Sequence, residues 1–326
     1  MEDQSKDRVD YGSHSNQPWE RETLERLVFA TLEEQRRQRR WGIFFKFSFV
    51  SLILFGFYHF GGLFQHEVDN SAPHTALVDI DGEIDSEGSG SASAVIPALD
   101  RAFSESGAVA VILRINSPGG SPVQAGMIND EIVRLRSQYP DKKLYVVVDE
   151  MCASGGYYIA AAADKIFVNK ASVVGSIGVL MDGFGFTGLM NKVGVERRLM
   201  TAGENKGLMD PYSPMSDKQK AYSQAMLNEI HQQFIDVVRK GRGQRLKETP
   251  ETFSGLFWVG SKAVDMGLAD GFGTVDSVAR DVIKAEDIVD YTQKEDLPER
   301  VLKKFGASVG SAAISAMLKP SKLTLH

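Results

Sequence analysis

Cysteine is almost missing from this chain. The one thiol among 326 residues, Cys152, excludes an intramolecular disulfide and a cysteine-rich metal site. Histidine is scarce as well, with six residues at positions 14, 59, 66, 74, 231 and 326. There is no basic excess. With a net charge of −6 the chain lacks the positive surface that holds nucleic acid, so nucleic acid is excluded as a general partner. No internal repeat is present. What remains is an ordinary globular balance, 43% hydrophobic and 25% charged, which rules out a wholly disordered chain. At roughly 100–200 residues per domain, the length allows one large domain or two modest ones.

The averages conceal a long uncharged run. From Trp41 to Phe64 the chain reads WGIFFKFSFVSLILFGFYHFGGLF, and the 18 residues after Lys46 contain no Asp, Glu, Lys or Arg. As a helix they would extend about 27 Å, close to the hydrocarbon thickness of a bilayer. Lys46 sits near one end, where its stem reaches the interface. A polar stretch precedes the run and no small-x-small cleavage signal follows it, which separates it from a signal peptide. Arg36, Arg37, Arg39 and Arg40 lie just before it, and the next basic residue after it is Arg101. Positive charge stays inside, so the N-terminus is expected in the cytoplasm and the remainder outside, in a bacterium the periplasm. Residues 19–40 carry apolar spacing at Leu24, Leu27, Val28 and Leu32, which predicts a juxtamembrane helix.

Beyond His74 the pattern changes to short β-branched runs. Ala76–Ile80, Ala108–Ile115, Leu144–Val148, Lys165–Val168 and Ile177–Met181 read as strands buried on both faces. Helical spacing falls between several of them, at Val95–Glu105, Val123–Ser137 and Gly155–Ala163. Strand and helix in alternation predict an α/β domain of repeated βαβ units. A long helix is expected from about Asp217 to Lys240, capped by Ser216 with Gln219 completing the box.

Two short stretches bear chemistry. Asn116-Ser117-Pro118-Gly119-Gly120-Ser121 follows a strand and forces a tight turn whose backbone N–H groups are suited to an oxyanion. Ser154 lies in Cys152-Ala153-Ser154-Gly155-Gly156, between a strand and an Ala-rich helix. A serine there projects past the carboxyl edge of a sheet, with the Gly155 N–H as an adjacent donor. The alternative role for such a serine is a plain helix N-cap. Cys152 is a rival nucleophile, but it sits among apolar neighbours without a candidate base. The histidines supply little: His231 alone lies inside the domain, mid-helix, where a solvated or packed ring is the default reading. A Ser-His-Asp triad is therefore poorly supported, and a Ser-Lys dyad is the natural alternative. Lys206, in TAGENKG, is the lysine considered for it; by itself it reads as an ordinary loop residue.

Taken together, INSPGGSP, ASGGYYIA, VVGSIGVL, the lysine soon after TAGE, Trp258-Val259-Gly260 and Ala263-Val264-Asp265-Met266-Gly267-Leu268 resemble the signal peptide peptidase A family, the short membrane-anchored bacterial serine peptidases. The resemblance runs from about Ala76 to Val282. It implies a Clp protease/crotonase-like fold and a Ser-Lys dyad, with Ser154 as nucleophile and Lys206, 52 residues later, as general base. It implies that Ser176 orients the lysine amine and that Gly119 or Gly120, with Gly155, supplies the oxyanion donors. Here Glu204 and Asn205 precede Lys206, where the family often carries a second basic residue. No metal or organic cofactor is implied. Signal peptides and similar apolar peptides are the implied substrates, and self-association into a homo-oligomer is implied for a chain this short.

The expected layout is a cytoplasmic segment over 1–40, one transmembrane helix over 41–64, a linker over 65–75, a peptidase domain over 76–305 and a tail over 306–326. Two other classes share some features. A crotonase-like acyl-CoA enzyme has the same oxyanion architecture but needs no nucleophile at 154. A catalytically inactive membrane scaffold needs neither Ser154 nor Lys206. The topology is testable directly. A periplasm-active reporter fused after His326 should be on, and the same reporter fused after Arg40 should be off; the reverse pattern would invert the orientation.

Overall fold

The computed structural model describes residues 72–293, together with 26, 29, 34, 36–52 and 55. The chain divides into two compact units, 1–67 and 68–326. In the first, residues 36–52 form helix α1, with Trp41, Phe44, Phe45, Phe47, Phe49 and Leu52 exposed along it. Among the described residues no helix is long and apolar enough to cross a membrane. Residues 53–54 and 56–64 of the expected span lie outside the described residues, as do the linker up to position 71 and the tail over 306–326.

The second unit is a mixed α/β fold. Three long parallel strands, β1 (His74–Asp81), β2 (Ala108–Ser117) and β3 (Leu144–Ala153), alternate with helices α2 (Ala92–Ser104) and α3 (Pro122–Gln138). Their near-continuous apolar sequence follows from burial on both faces. Side chains alternate across the sheet. Val78, Ile80, Val111, Leu113, Val146 and Val148 enter the main core, whereas Leu77, Ile112 and Val147 meet a smaller cluster that includes Phe167 and Val278 on the other side. Both helices begin at a serine N-cap. Ser91 accepts the Ala94 N–H and Ser121 the Gln124 N–H, with Pro122 just inside α3, where its missing donor does no harm.

β3 then forks. Tyr145–Val147 pair with β4 (Lys165–Val168), while Met151–Ala153 pair with β5 (Val173–Gly175). Short helix α4 (Gly155–Ala160) follows β3, ending before the expected Ala163 in a turn over the last alanines. The fifth strand is also displaced from the expected Ile177–Met181. It ends at Gly175, because Gly175 and Ser176 have φ of 113° and 52°, a left-handed turn that no strand runs through. Ile177 is still buried, so its apolar character reflects the core rather than the sheet. Three short edge strands escape sequence reading: β6 (Phe257–Val259), antiparallel to β5, β7 (Gly271–Phe272) beside β4, and β8 (Ile288–Asp290) beside β1. Between β5 and β6 lie α5 (Thr187–Val193) and the long α6 (Asp217–Arg242), whose Ser216–Gln219 capping box matches expectation.

The C-terminal end of α6 is held by an ion pair. The Arg242 side chain is fully buried; it makes two bonds of 2.9 Å to the Asp270 carboxylate and donates Nε–H to the Gly267 carbonyl at 2.8 Å. Asp270 also accepts the Ile166 N–H, so one carboxylate joins α6 to β4. Burial pushes the Asp270 pKa up, but Arg242, the Ile166 N–H and Arg245 outweigh it and hold the carboxyl below its ordinary value. A depressed carboxyl stabilises the fold above its unfolded pKa, and that stability is lost as pH falls through the folded value. Asp270→Asn should therefore cost about 3–5 kcal/mol at neutral pH, since it strands a buried guanidinium. In urea titrations repeated from pH 6 downward, wild type should lose more stability below about pH 4 than the variant does. Equal losses in both would remove Asp270 as the acid-sensitive tie.

Candidate functional site

The register of β2 on β3 creates the site. Ser117 lies opposite Cys152, after a bulge that follows Ile115. The turn leaving β2 therefore overlies the turn leaving β3, and the two are in close contact. A Cβ on Gly119 would stand 2.7 Å from both the Gly155 nitrogen and the Ser154 Cβ, and a Cβ on Gly120 would overlap the Ile84 backbone. Both glycines have positive φ, 101° and 148°. The Gly-Gly pair thus answers a steric demand from two sides, the neighbouring turn and the 84 segment.

Ser154 caps α4 with φ 50° and ψ −122°, a conformation rare for a residue with a side chain. Its backbone is fixed by the Ser154 N–H donating to the Gly175 carbonyl at 2.9 Å, and the Tyr158 N–H bonds its carbonyl at 2.9 Å. Its hydroxyl caps nothing, so the N-cap alternative does not hold. A strained serine at a strand-to-helix turn, hydroxyl unengaged, is the arrangement of a nucleophile elbow. Around it, the N–H groups of Gly120 and Gly155 have no protein acceptor among the described residues. The Gly119 N–H, by contrast, already donates to Ser117 Oγ at 3.1 Å. Of the expected donors, Gly120 and Gly155 are therefore the pair with free N–H groups.

These groups open into a cleft of about 680 Å³. Ser154, Gly155, Gly120 and Ser176 all line it. Ser176, like Ser154, has positive φ, and its N–H is held by the Leu256 carbonyl at 2.8 Å. Apolar walls come from Pro122, Ala125, Val179, Leu180, Ile230 and Phe234. Tyr158 packs on Phe234 with ring centroids 5.0 Å apart; burial, then Asp130, raises its pKa. Glu83 stands at the rim. Cys152 is fully buried and burial pushes its thiol pKa up, so it stays a protonated core filler.

Lys206 is not brought to the cleft, and Gly119 does not line it either. Lys206 is exposed in a turn on the arm between Gly178 and Ser216, and it does not line the cavity. That arm displays apolar side chains, Phe184 at 79% and Met200 at 93% exposure among them. The residue that sequence reading missed is His231. It lines the cleft from α6 beside Ile230 and Phe234, with Nε2 3.1 Å from the Ile177 carbonyl. Its only signal in the sequence is its place one residue after Ile230 and three before Phe234 in the expected long helix.

A strained serine, two free N–H groups and an apolar cleft are the parts of an acyl-transfer site. Comparison with known proteins agrees. The model for peptidase family S49 matches residues 136–288, which include Ser154, Ser176 and Lys206. A protease-named chain of Synechocystis sp. is 30% identical over 199 residues, and this chain covers 69% of it. The chain belongs to peptidase family S49. Another S49-like relative, from Enterococcus faecium, carries the provisional name signal peptide peptidase SppA and is 32% identical over 182 residues, 56% of this chain and 52% of that one. The Brucella melitensis chain named Na(+)/H(+) antiporter NhaA is 46% identical over 182 residues, 56% of this chain but 25% of its own. This S49 chain thus spans between a quarter and about half of those two relatives.

The steric demand on the turn predicts a contrast between two glycines. Gly120→Ala should destabilise by about 1–3 kcal/mol in denaturant titration, because the new methyl meets backbone. Gly126→Ala, inside α3 with nothing within 4 Å, should stabilise by up to about 1 kcal/mol. Similar effects at both sites would mean the two turns are not packed as described.

Proposed function

We propose that this protein is a membrane-anchored serine endopeptidase that cuts apolar peptides, cleaved signal peptides among them, on the outer face of a bacterial inner membrane. The observation that carries the reading is Ser154, held with φ 50° and an unengaged hydroxyl beside two free N–H groups. Ser154 Oγ attacks the scissile carbonyl. The oxyanion forms against the Gly120 and Gly155 N–H groups, whose donation strengthens as charge develops on oxygen. Collapse expels the amine and leaves an acyl-enzyme on Ser154, which water then hydrolyses.

Lys206 is the proposed base, taking the Ser154 proton and returning it to the leaving amine. A lysine base acts only when neutral, which requires apolar shielding from water. Lys206 is exposed in the single chain, so the reading requires the arm to be covered, by substrate or by further copies in a homo-oligomer. The exposed apolar side chains of that arm support such a cover. Ser176 is proposed to orient the amine. The exposed aromatic residues of α1 and the arginines at 36, 37, 39 and 40 support the anchor and its orientation. The apolar cleft walls support an apolar substrate.

The test is a set of substitutions assayed on an apolar, signal-like peptide. Ser154→Ala should leave folding intact and abolish cleavage together with fluorophosphonate labelling. Lys206→Ala and Lys206→Arg should both abolish cleavage, since a guanidinium stays charged. Ser176→Ala should weaken cleavage less than either. An active Lys206→Arg enzyme would move the base elsewhere, and a wild-type chain that neither labels nor cleaves would leave the inactive scaffold.

A further inference from the structure

We infer that His231 is a positioning residue that sets the cleft wall opposite Ser154 by tethering the Ile177 carbonyl. The inference rests on the peptidase reading for its consequence in turnover, but the tether itself does not. The wall is the irregular segment 177–181, which leaves β5 through the left-handed pair Gly175 and Ser176. Gly178, Val179 and Leu180 line the cleft from it. Among the described residues, the contact from His231 Nε2 to the Ile177 carbonyl, at 3.1 Å, is the one hydrogen bond made by this segment. A carbonyl oxygen only accepts, so Nε2 carries the proton.

The other end of the tether is equally defined. His231 stands on α6 next to Ile230 and three residues before Phe234, whose ring packs on Tyr158 of α4. Helix α6 is therefore fixed against the helix that Ser154 begins, and through His231 it fixes the wall as well. One helix sets the width of the cleft between nucleophile and wall. Ser176 Oγ hangs from the same stretch of backbone, one peptide before the tethered carbonyl. Among the described residues no hydrogen bond joins His231 to Ser154, so its proposed effect passes through the wall rather than through proton transfer.

Three variants of the full chain, purified in detergent, separate this role from the others. Gln places its Nε2–H the same number of bonds from Cβ as the imidazole Nε2, whereas Asn is too short and Ala has no donor. The first readout is deuterium exchange at the Ser176 amide, which donates to the Leu256 carbonyl next to the tethered peptide. It should speed up about tenfold in His231→Ala and His231→Asn and return to the wild-type rate in His231→Gln. The second is turnover of an apolar peptide. KM should rise about tenfold in Ala and Asn with kcat within about threefold, Gln should restore KM, and the pH profile should keep its shape in all three. Gln behaving like Ala in both readouts would overturn the inference. So would a kcat collapse in every variant together with loss of one limb of the pH profile, which would make His231 the base. If wild type cleaves no peptide, the peptidase reading falls, and the exchange rates alone decide the tether.

Discussion

The structure depends on how two turns interpenetrate. Strands β2 and β3 run parallel in a register that sets Ser117 against Cys152, so their exits meet within van der Waals distance. Each turn then shapes the other. The Gly119 Cα is lodged against Ser154 and Gly155, Gly120 is pressed to the Ile84 backbone, and Ser154 is left in a conformation that local sequence does not favour. Backbone strain of this kind persists only where surrounding contacts over-determine it. Here they come from the Gly175 carbonyl on one side and the glycine turn on the other. The free N–H groups at 120 and 155 are a by-product of that fit, since the backbones that pack the two turns leave these donors without a partner and facing the cleft.

Around this rigid centre the cleft is built from elements of unequal firmness. Its floor is sheet and α4, inside the main core. Its far wall is α6, anchored at one end by the Arg242–Asp270 pair and in the middle by Phe234 on Tyr158. Past residues 178–180, which line the cleft, the arm up to Ser216 holds few core contacts, and its apolar residues stand in solvent in the single chain. An apolar surface of that kind is a site for a partner surface rather than a finished exterior. Lys206, the proposed base, lies on the arm, so in the proposed dyad Ser154 is held by the core while its partner depends on what covers the arm.

Much of this was legible in the sequence because it rests on local rules. β1 to β4 carry the β-branched runs of strands buried on both faces, and the boundaries at 108, 144 and 165 coincide with those expected. The capping box at Ser216 is a four-residue pattern and appears as read. Ser154 falls at the strand-to-helix turn where the Ala-Ser-Gly-Gly stretch put it. The misreadings are tertiary. Ile177 is apolar because it enters the core, and the left-handed turn at Gly175 and Ser176 is fixed by partners at 154 and 256. The edge strands have two or three residues each, too short to show a period. Gly119 and Gly120 are equivalent on paper, and only the Ser117 hydroxyl tells them apart. His231 reads as an ordinary helix residue until α6 is laid beside the β5 exit.

The supports of Ser154 are scattered along the chain, and that has a consequence for the order of synthesis. The serine's turn needs Ile84 and Gly119 before it and Gly175 after it, while Ser176, which shares the cleft, waits for the Leu256 carbonyl, 102 residues beyond Ser154. A polypeptide synthesised from its N-terminus presents Ser154 long before that last support arrives. Contacts of such sequence separation form late, because the loop between them must close first. The cleft around Ser154 is therefore incomplete in a partly made chain. The site is assembled only when the segments on both sides of Ser154, as far as Leu256, have docked, so the topology itself delays its completion until most of the domain is made.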